Sequence, residues 1–413
     1  MHILMFPQYS YPSSHAMLET VFSRLLPARG HRVSWIMNAR NGSAPTNAPV
    51  PWNDSSVYLV ANGVRDGSVA NPASIWLRIL RRIRLAESIH RANHVDIIHV
   101  RNELSSGLIA RYMRRRWGIP LVFQLSFPLS GKEELDSLAR ENAAKSKKGI
   151  SITLKRRVQE GILKRADLVL AISEEMKAVL TRQGIPPDRL LAVPMGFDAQ
   201  IQPDKYDPER VRKMFALGSS PVVLYFGALD RIRRIDFLFA AIEMVRLAIP
   251  DVKLLLLGSA SDRSDESWLR SLTEARGLGN TVIFCGAVPR VDVPYFLSAA
   301  SVSVSPIPPI PAYTVSSPTK VLESLGMGVP VVANEEIRDQ KEILVESRGG
   351  RCVPYRERAF AEAIADLLAH PDLSREAGQR GREYVLRNRS YTCLSELIER
   401  EYLALQLQRR RVT

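Results

Sequence analysis

Ser316–Val332, SSPTKVLESLGMGVPVV, reads as a helix that turns through glycine into a buried strand. Ser317 suits the N-cap, and Pro318 suits the first helical position because its missing N–H would be unpaired there in any case. Lys320 and Glu323 lie three residues apart and share a face. A cation in the first turn opposes the positive end of the helix dipole. It makes sense where an anion, most naturally a phosphate, docks on the opening N–H groups. Glu323, one turn deeper, would then accept hydrogen bonds from a neutral polyol such as a ribose. An ordinary surface helix with an i,i+3 ion pair is the alternative, and the segment alone leaves both readings open.

The same alternation extends in both directions. Pro221–Gly227, Val252–Gly258, Thr281–Gly286, Ala300–Pro306 and Val329–Ala333 are near-continuous apolar runs, as expected of strands covered on both faces. Helical patterns at Arg234–Ala248, Glu266–Arg276, Val291–Ala299 and Ser317–Met327 separate them, and Phe360–Ala369 and Leu373–Val385 follow. Toward the N-terminus, His2–Phe6, His31–Met37, Val95–Val100, Ile119–Leu125, Ala166–Ser173 and Leu190–Asp198 read as strands, with helices such as Ala16–Arg29 and Glu174–Gln183 between them. Ala199–Pro208, polar and proline-containing, reads as a linker. The pattern predicts an α/β protein with two doubly wound, Rossmann-like domains, 1–200 and 209–385, facing across a cleft. A last helical segment, 386–413, is expected to cross back to the first domain.

The 413 residues are 46% apolar and 24% charged, ordinary values for a globular protein. No apolar run nears the roughly 18 residues of a membrane span, and Met1–Phe6 reads as a strand rather than a signal, so a cytoplasmic location is expected. Cys285, Cys352 and Cys393 have no metal-ligand spacing, and no metal is expected. Lys and Arg number 57 against 43 Asp and Glu, a net charge of +14. This admits nucleic acid, anionic lipid or phosphorylated substrates as partners. Aromatic residues are only 7% and no nucleic-acid module is present, so nucleic acid is not expected. The basic residues concentrate in Ile75–Leu85, Arg111–Gly118 and Lys145–Arg157. In the first, Trp76 and several leucines and isoleucines interleave with arginines. Such a helix suits an anionic membrane surface or, equally, a solvated face packed on the sheet.

Loops after predicted strands supply the candidate chemistry. The loop after Phe6, PQYSYPSSHA, has no glycine, which argues against a dinucleotide fingerprint there. Gly227–Asp236, GALDRIRRID, begins with a glycine that permits close backbone approach, and either Arg231 or Arg233 could hold phosphate oxygens. Arginines at a helix start repeat the anomaly of Lys320, and the two together favour a diphosphate site. Gly286–Arg290 offers backbone groups to a base edge, and the prolines after Ser305 are expected to stiffen an arm over the cleft mouth or a plain surface loop.

These residues carry a resemblance. YFGALDRIRRIDFL, VKLLLLG, VIFCGAVPRVDVPYFLSAASVSVSP, SSPTKVLESLGMGVPVVAN and RGGRCVPY resemble, in order and spacing, the donor-binding domain of retaining, family-four nucleotide-sugar glycosyltransferases of the GT-B fold. DIIHVRN and ADLVLAISEEM in the first half agree less specifically. The resemblance implies that Glu323 binds the nucleotide ribose, that Arg233 and Lys320 act on the phosphates, and that the base rests near Val288–Arg290. Further donor contacts are expected at Gly227, Arg231, Gly258, Ser317, Pro318 and Thr319. It implies an acceptor site in the first domain, with His15, His99 and Asn102 as candidates beside Arg101 and Gln124. It also implies hexosyl transfer with retention, needing no cofactor and no metal, to a saccharide or lipid-linked acceptor in cell-surface polysaccharide or glycolipid synthesis, at times peripherally on the cytoplasmic face of the membrane. Two positions depart from the family. The acid usually found eight residues before Glu323 is Val315, and the arginine usual after the strand glycine is Ala228; the S-P-T-K sequence with a single Glu marks a subgroup. A sugar-nucleotide epimerase and a degenerate donor-binding subunit are the competing readings.

Overall fold

Apolar runs flanked by amphipathic stretches fold into two parallel sheets. The computed structural model describes residues 1–13, 15–40, 48–60, 72–127 and 149–410, with backbone alone at 72–75, 149–152 and 410. The first sheet contains β1 (His2–Pro7), β2 (Ser10–Tyr11), β3 (Arg32–Ala39), β4 (Val50–Trp52), β5 (Ser55–Val60), β6 (Ile97–Arg101), β7 (Leu121–Leu125), β8 (Leu168–Ala171) and β9 (Leu190–Ala192). Its order is β4-β5-β3-β1-β6-β7-β8-β9, with β2 beside β3, and only the β4–β5 pair is antiparallel. The second sheet contains β10 (Val222–Phe226), β11 (Lys253–Leu257), β12 (Val282–Gly286), β13 (Val302–Ser305), β14 (Val331–Asn334) and β15 (Gly350–Val353). Its order, β12-β11-β10-β13-β14-β15, is that of a doubly wound mononucleotide fold.

Alternation along β10 and β11 shows both faces covered. Val223, Tyr225, Leu254 and Leu256 pack with Phe239 and Phe360 on one side. Val222, Leu224, Phe226, Leu255 and Leu257 pack with Phe296 on the other. The chain divides into two compact units: Met195–Ser390 surrounds the second sheet, and the first sheet takes in the helix Tyr391–Arg410. That helix is fixed to the first unit by Glu399, which accepts from Arg29 Nε at 2.6 Å and lies 2.7 Å from His31 Nε2, and by the Tyr402 hydroxyl, 2.6 Å from His99 Nδ1.

The structure differs from the sequence expectation at several elements. The strand read as Leu190–Asp198 stops at Ala192, because the second unit begins at Met195. Ala199–Pro208 is not a free linker: Gln202 accepts from Arg382 at 2.9 Å, and the Tyr206 ring lies 4.9 Å from that of Tyr295. Within Ala16–Arg29, Leu18–Leu25 winds as a π-helix. The β4–β5 hairpin, turning at Asn53 with φ 49°, and β15 are strands that charged, proline or glycine residues conceal in the sequence. The basic run at 145–148 lies outside the described residues.

Candidate active site

The second sheet reverses its winding between β10 and β13, and at such a point the carboxyl ends of the strands open a crevice. Backbone bonds stitch the rim, with Gly227 N–H donating to Leu257 O and Gly258 N–H to Gly286 O, each at 2.8 Å. Both positions demand glycine. Gly227 has φ +134°, and a methyl group there would sit 2.9 Å from Lys320 Nζ. Gly258 has φ +143°, and its methyl would strike Gly227 O at 1.9 Å. Gly258 therefore shapes the rim that Gly227 presents.

Lys320 projects from the first turn of the helix Thr319–Gly326 and lies along Gly227, its ammonium 5.0 Å from the centre of the Tyr225 ring. Arg233, after β10, places its guanidinium carbon 4.6 Å from the centre of the Tyr313 ring. Burial, and then the charge of Arg233, push the Lys320 pKa down to about 8, against the pull of Glu323. Burial also raises the Tyr225 hydroxyl pKa, opposed by Arg233. The two cations thus share one site and feel each other, and among the described residues neither forms an ion pair. Glu323 accepts from Arg290 Nη2 at 3.0 Å. Burial raises its pKa, with Arg290 and Lys320 opposing. Arg233, Lys320, Glu323 and Arg290 therefore gather at one end of one sheet.

Several expected site residues lie elsewhere or serve otherwise. Ser317 is not an N-cap: its Oγ accepts from Met195 N–H at 2.9 Å and donates to Asp339 Oδ2 at 2.7 Å, while Pro318 holds the cap position without a side-chain bond. Arg231 turns away, 3.6 Å from Asp265 and over the Trp268 ring. Arg231–Arg233 is a separate 3₁₀ turn, and the next helix starts at Asp236 with an acid in its first turn, so the misplaced helix-opening cation is Lys320 alone. Val288 packs on the apolar cluster of Phe226 and Leu257. Thr319 is the first residue of the Lys320 helix. The proline loop packs rather than forming an arm: Pro311–Thr314 is a helical turn, and Tyr313 is buried against Ile307 and Ile337. Tyr225, within a predicted strand, and Tyr313, within the proline loop, seat the two cations, a role that nothing in the sequence reading signals.

On the first sheet, His99 is fully buried between Phe22 and Tyr402, which removes it as an acceptor contact. Burial and Arg101 hold its pKa down to about 3. Asn102, with φ 57°, accepts from Ser126 N–H at 2.8 Å through Oδ1, so its carbonyl is committed to the loop. His15 remains half-buried, its Nε2 2.9 Å from Arg101 Nη2. Within the second unit, a cavity of about 1020 Å³ lined by Pro221, Ser301, Pro330 and Ser374 opens at the amino ends of the strands and shares no residue with the Lys320 site. Among the described residues no group of three His, Cys, Asp or Glu side chains is arranged to hold a metal.

Residues 20–201 match the family described as Glycosyltransferase Family 4, and residues 220–370 match Glycosyl transferases group 1. The two domains are those of a GT-B glycosyltransferase. The glycosyltransferase is 29% identical over 344 residues to the D-inositol 3-phosphate glycosyltransferase of Acidothermus cellulolyticus, covering 80% of this chain and 69% of that one. Its fold is similar to that of a sucrose-phosphate synthase from Thermosynechococcus elongatus, with a TM-score of 0.76 at 20% identity over 98% of this chain and 99% of the other. It is also similar to Anabaena HepE in complex with UDP-glucose, with a TM-score of 0.71 at 17% identity over 98% and 100% of the two chains.

Proposed function

We propose that this glycosyltransferase moves a hexose, with retention, from a nucleoside-diphosphate sugar to a saccharide or lipid-linked acceptor. One observation carries the reading: Arg233 and Lys320, without an ion pair among the described residues, meet beside the glycine rim of the sheet's switch point. Two like charges held together are repulsive until a dianionic group sits between them, and a pyrophosphate is that group. Glu323 then receives the ribose hydroxyls. The similarity to a structure holding UDP-glucose supports a nucleotide-sugar donor. In the proposed step the anomeric carbon–oxygen bond to the diphosphate breaks, the acceptor oxygen bonds to that carbon on the same face, and its proton passes to the leaving diphosphate oxygen. Arg233 and Lys320 stabilise the charge that develops there, and no dedicated general base is required.

A thermal-shift screen of UDP-, GDP-, ADP- and TDP-sugars tests the reading. One nucleotide sugar should raise the Tm of the wild-type chain, since a ligand at 100 times its Kd stabilises by about 2.7 kcal/mol. The Arg233→Ala/Lys320→Ala double variant should show no such rise; an unchanged rise refutes the assignment. We further propose that the first unit docks on anionic membrane through the helix Pro72–Ala92, where Trp76 and Leu77 are 65% and 67% exposed beside arginines.

A further inference from the structure

The first sheet also reverses its winding, between β1 and β6. Arg101 is the last residue of β6, opposite Pro7 of β1, so it stands where ligands of such sheets bind. It is fully buried, yet no carboxylate among the described residues meets it. A side-chain hydrogen bond joins it to Tyr9, its Nη2 reaches His15 Nε2, its Nη1 reaches the Met17 sulfur at 3.5 Å, and its Nε has no partner among the described residues. The groups that favour its charge are the tyrosines Tyr9 and Tyr391, against a larger penalty from burial. Gln124, its register partner on β7, also donates to the Met17 sulfur, at 3.2 Å. Two buried donors sharing one thioether, a poor acceptor, is an arrangement that an oxyanion would satisfy far better.

A buried guanidinium met by tyrosine, histidine and thioether groups but by no carboxylate among the described residues is costly to a fold. We infer that Arg101 is the charge of an oxyanion subsite that binds a carboxylate or phosphate carried by a substrate, with Gln124 as a flanking donor and His15 occupying the anion's place meanwhile. That a substrate of sugar transfer brings the anion rests on the proposed function; the subsite itself does not.

The test uses the full chain. Thermal unfolding is followed against inorganic phosphate, with sodium chloride at matched ionic strength, in the Arg233→Ala/Lys320→Ala background so that the donor cations take no part. Phosphate should raise the Tm saturably, and adding Arg101→Met should abolish the rise without lowering the Tm in phosphate-free buffer. No rise with Arg101 intact, or a rise that survives Arg101→Met, overturns the inference. If the Met variant does not fold, Arg101→Lys should retain the rise with at least tenfold weaker phosphate binding, and undiminished affinity overturns it.

Two binding arms on the otherwise wild-type chain name the source: UDP-glucuronate against UDP-glucose, and glucose 6-phosphate against glucose with UDP present. A tenfold preference for the anionic member that Arg101→Met removes supports the subsite and assigns it to donor sugar or acceptor. A preference that Arg101→Met leaves intact counts against it. Loss of nucleotide binding alone in the double variant bears only on the donor site.

Discussion

Lys320 carries its charge against the positive end of its own helix and beside Arg233, so the unliganded fold pays twice for that ammonium. Such an arrangement is retained where an anion is bound and where charge grows in a transition state. Lys320→Ala and Arg233→Ala should each lower kcat/KM by two to three decades, about 3 kcal/mol of lost stabilisation, with unchanged circular dichroism; near-normal turnover would refute the roles. The pH response follows from the lowered pKa, about 8 against an ordinary 10.5. Between those values the unfolded chain binds the proton and the fold does not, so stability rises with pH across that window and the cost of the charge is fully present below it. An anion needs the charged form, so nucleotide affinity should fall above pH 8, approaching tenfold per unit at most. Lys320→Arg, which stays protonated, should flatten that fall. An identical slope in both proteins, by calorimetric titration, would dismiss Lys320 as the titrating group.

The helix that bears Lys320 is anchored one residue before its cap. Ser317 ties Met195 to Asp339, and Asp339 is ion-paired with Arg389, so the two points where the chain enters and leaves the second unit meet at the start of this helix. Asp339 and Arg389 are both largely buried. Asp339→Ala should therefore cost about 3–5 kcal/mol in denaturant unfolding by stranding Arg389, and should raise the donor KM. Asp339→Leu/Arg389→Met should recover much of the stability; additive losses in the cycle would show that the pair is not coupled. This network illustrates what the sequence could not disclose. Periodicity locates the long buried strands β1, β6, β7 and β10 to β14 because burial on both faces writes itself as unbroken apolar runs. It is silent on Gly350–Val353, where glycine, arginine and cysteine form a strand only because β14 lies alongside. In the site, Lys320 is legible because its charge opposes its own helix and Glu323 because it shares that face one turn deeper, whereas Arg233 comes to Lys320 from a separate 3₁₀ turn and not from a helix opening. Ser317 misleads because its partners, Met195 and Asp339, lie 122 and 22 residues away. Tyr313 is hidden for the same reason: only the fold brings it to Arg233.

Across the whole molecule the +14 charge must be reconciled with where the charge is usable. Part of it is committed to ion pairs: Arg82 is buried against Glu103, Ser106 and Asn38, and the partly exposed Arg114 forms two 2.6 Å bonds to Asp167. Those arginines are paired within the first unit. On the same helix as Arg82, however, Trp76, Leu77 and Leu80 are exposed, Arg84 is exposed as well, and the neighbouring helix Leu104–Trp117 exposes Leu108 and Tyr112. Apolar side chains interleaved with cations fit the interface of an anionic bilayer, where the rings and leucines enter the acyl boundary and the arginines meet the headgroups. Fully burying side chains of this size is worth roughly 1.5–3 kcal/mol each, so even partial insertion of three is substantial. The triple variant Trp76→Ser, Leu77→Ser, Leu80→Ser should reduce co-sedimentation with phosphatidylglycerol-containing liposomes by at least tenfold, leaving the Tm and nucleotide binding as in wild type. Added salt should weaken the wild-type interaction through its cationic part. Co-sedimentation that ignores the anionic lipid content, or survives the triple change, would mean that this face is simply solvated and that the charge serves soluble anions alone.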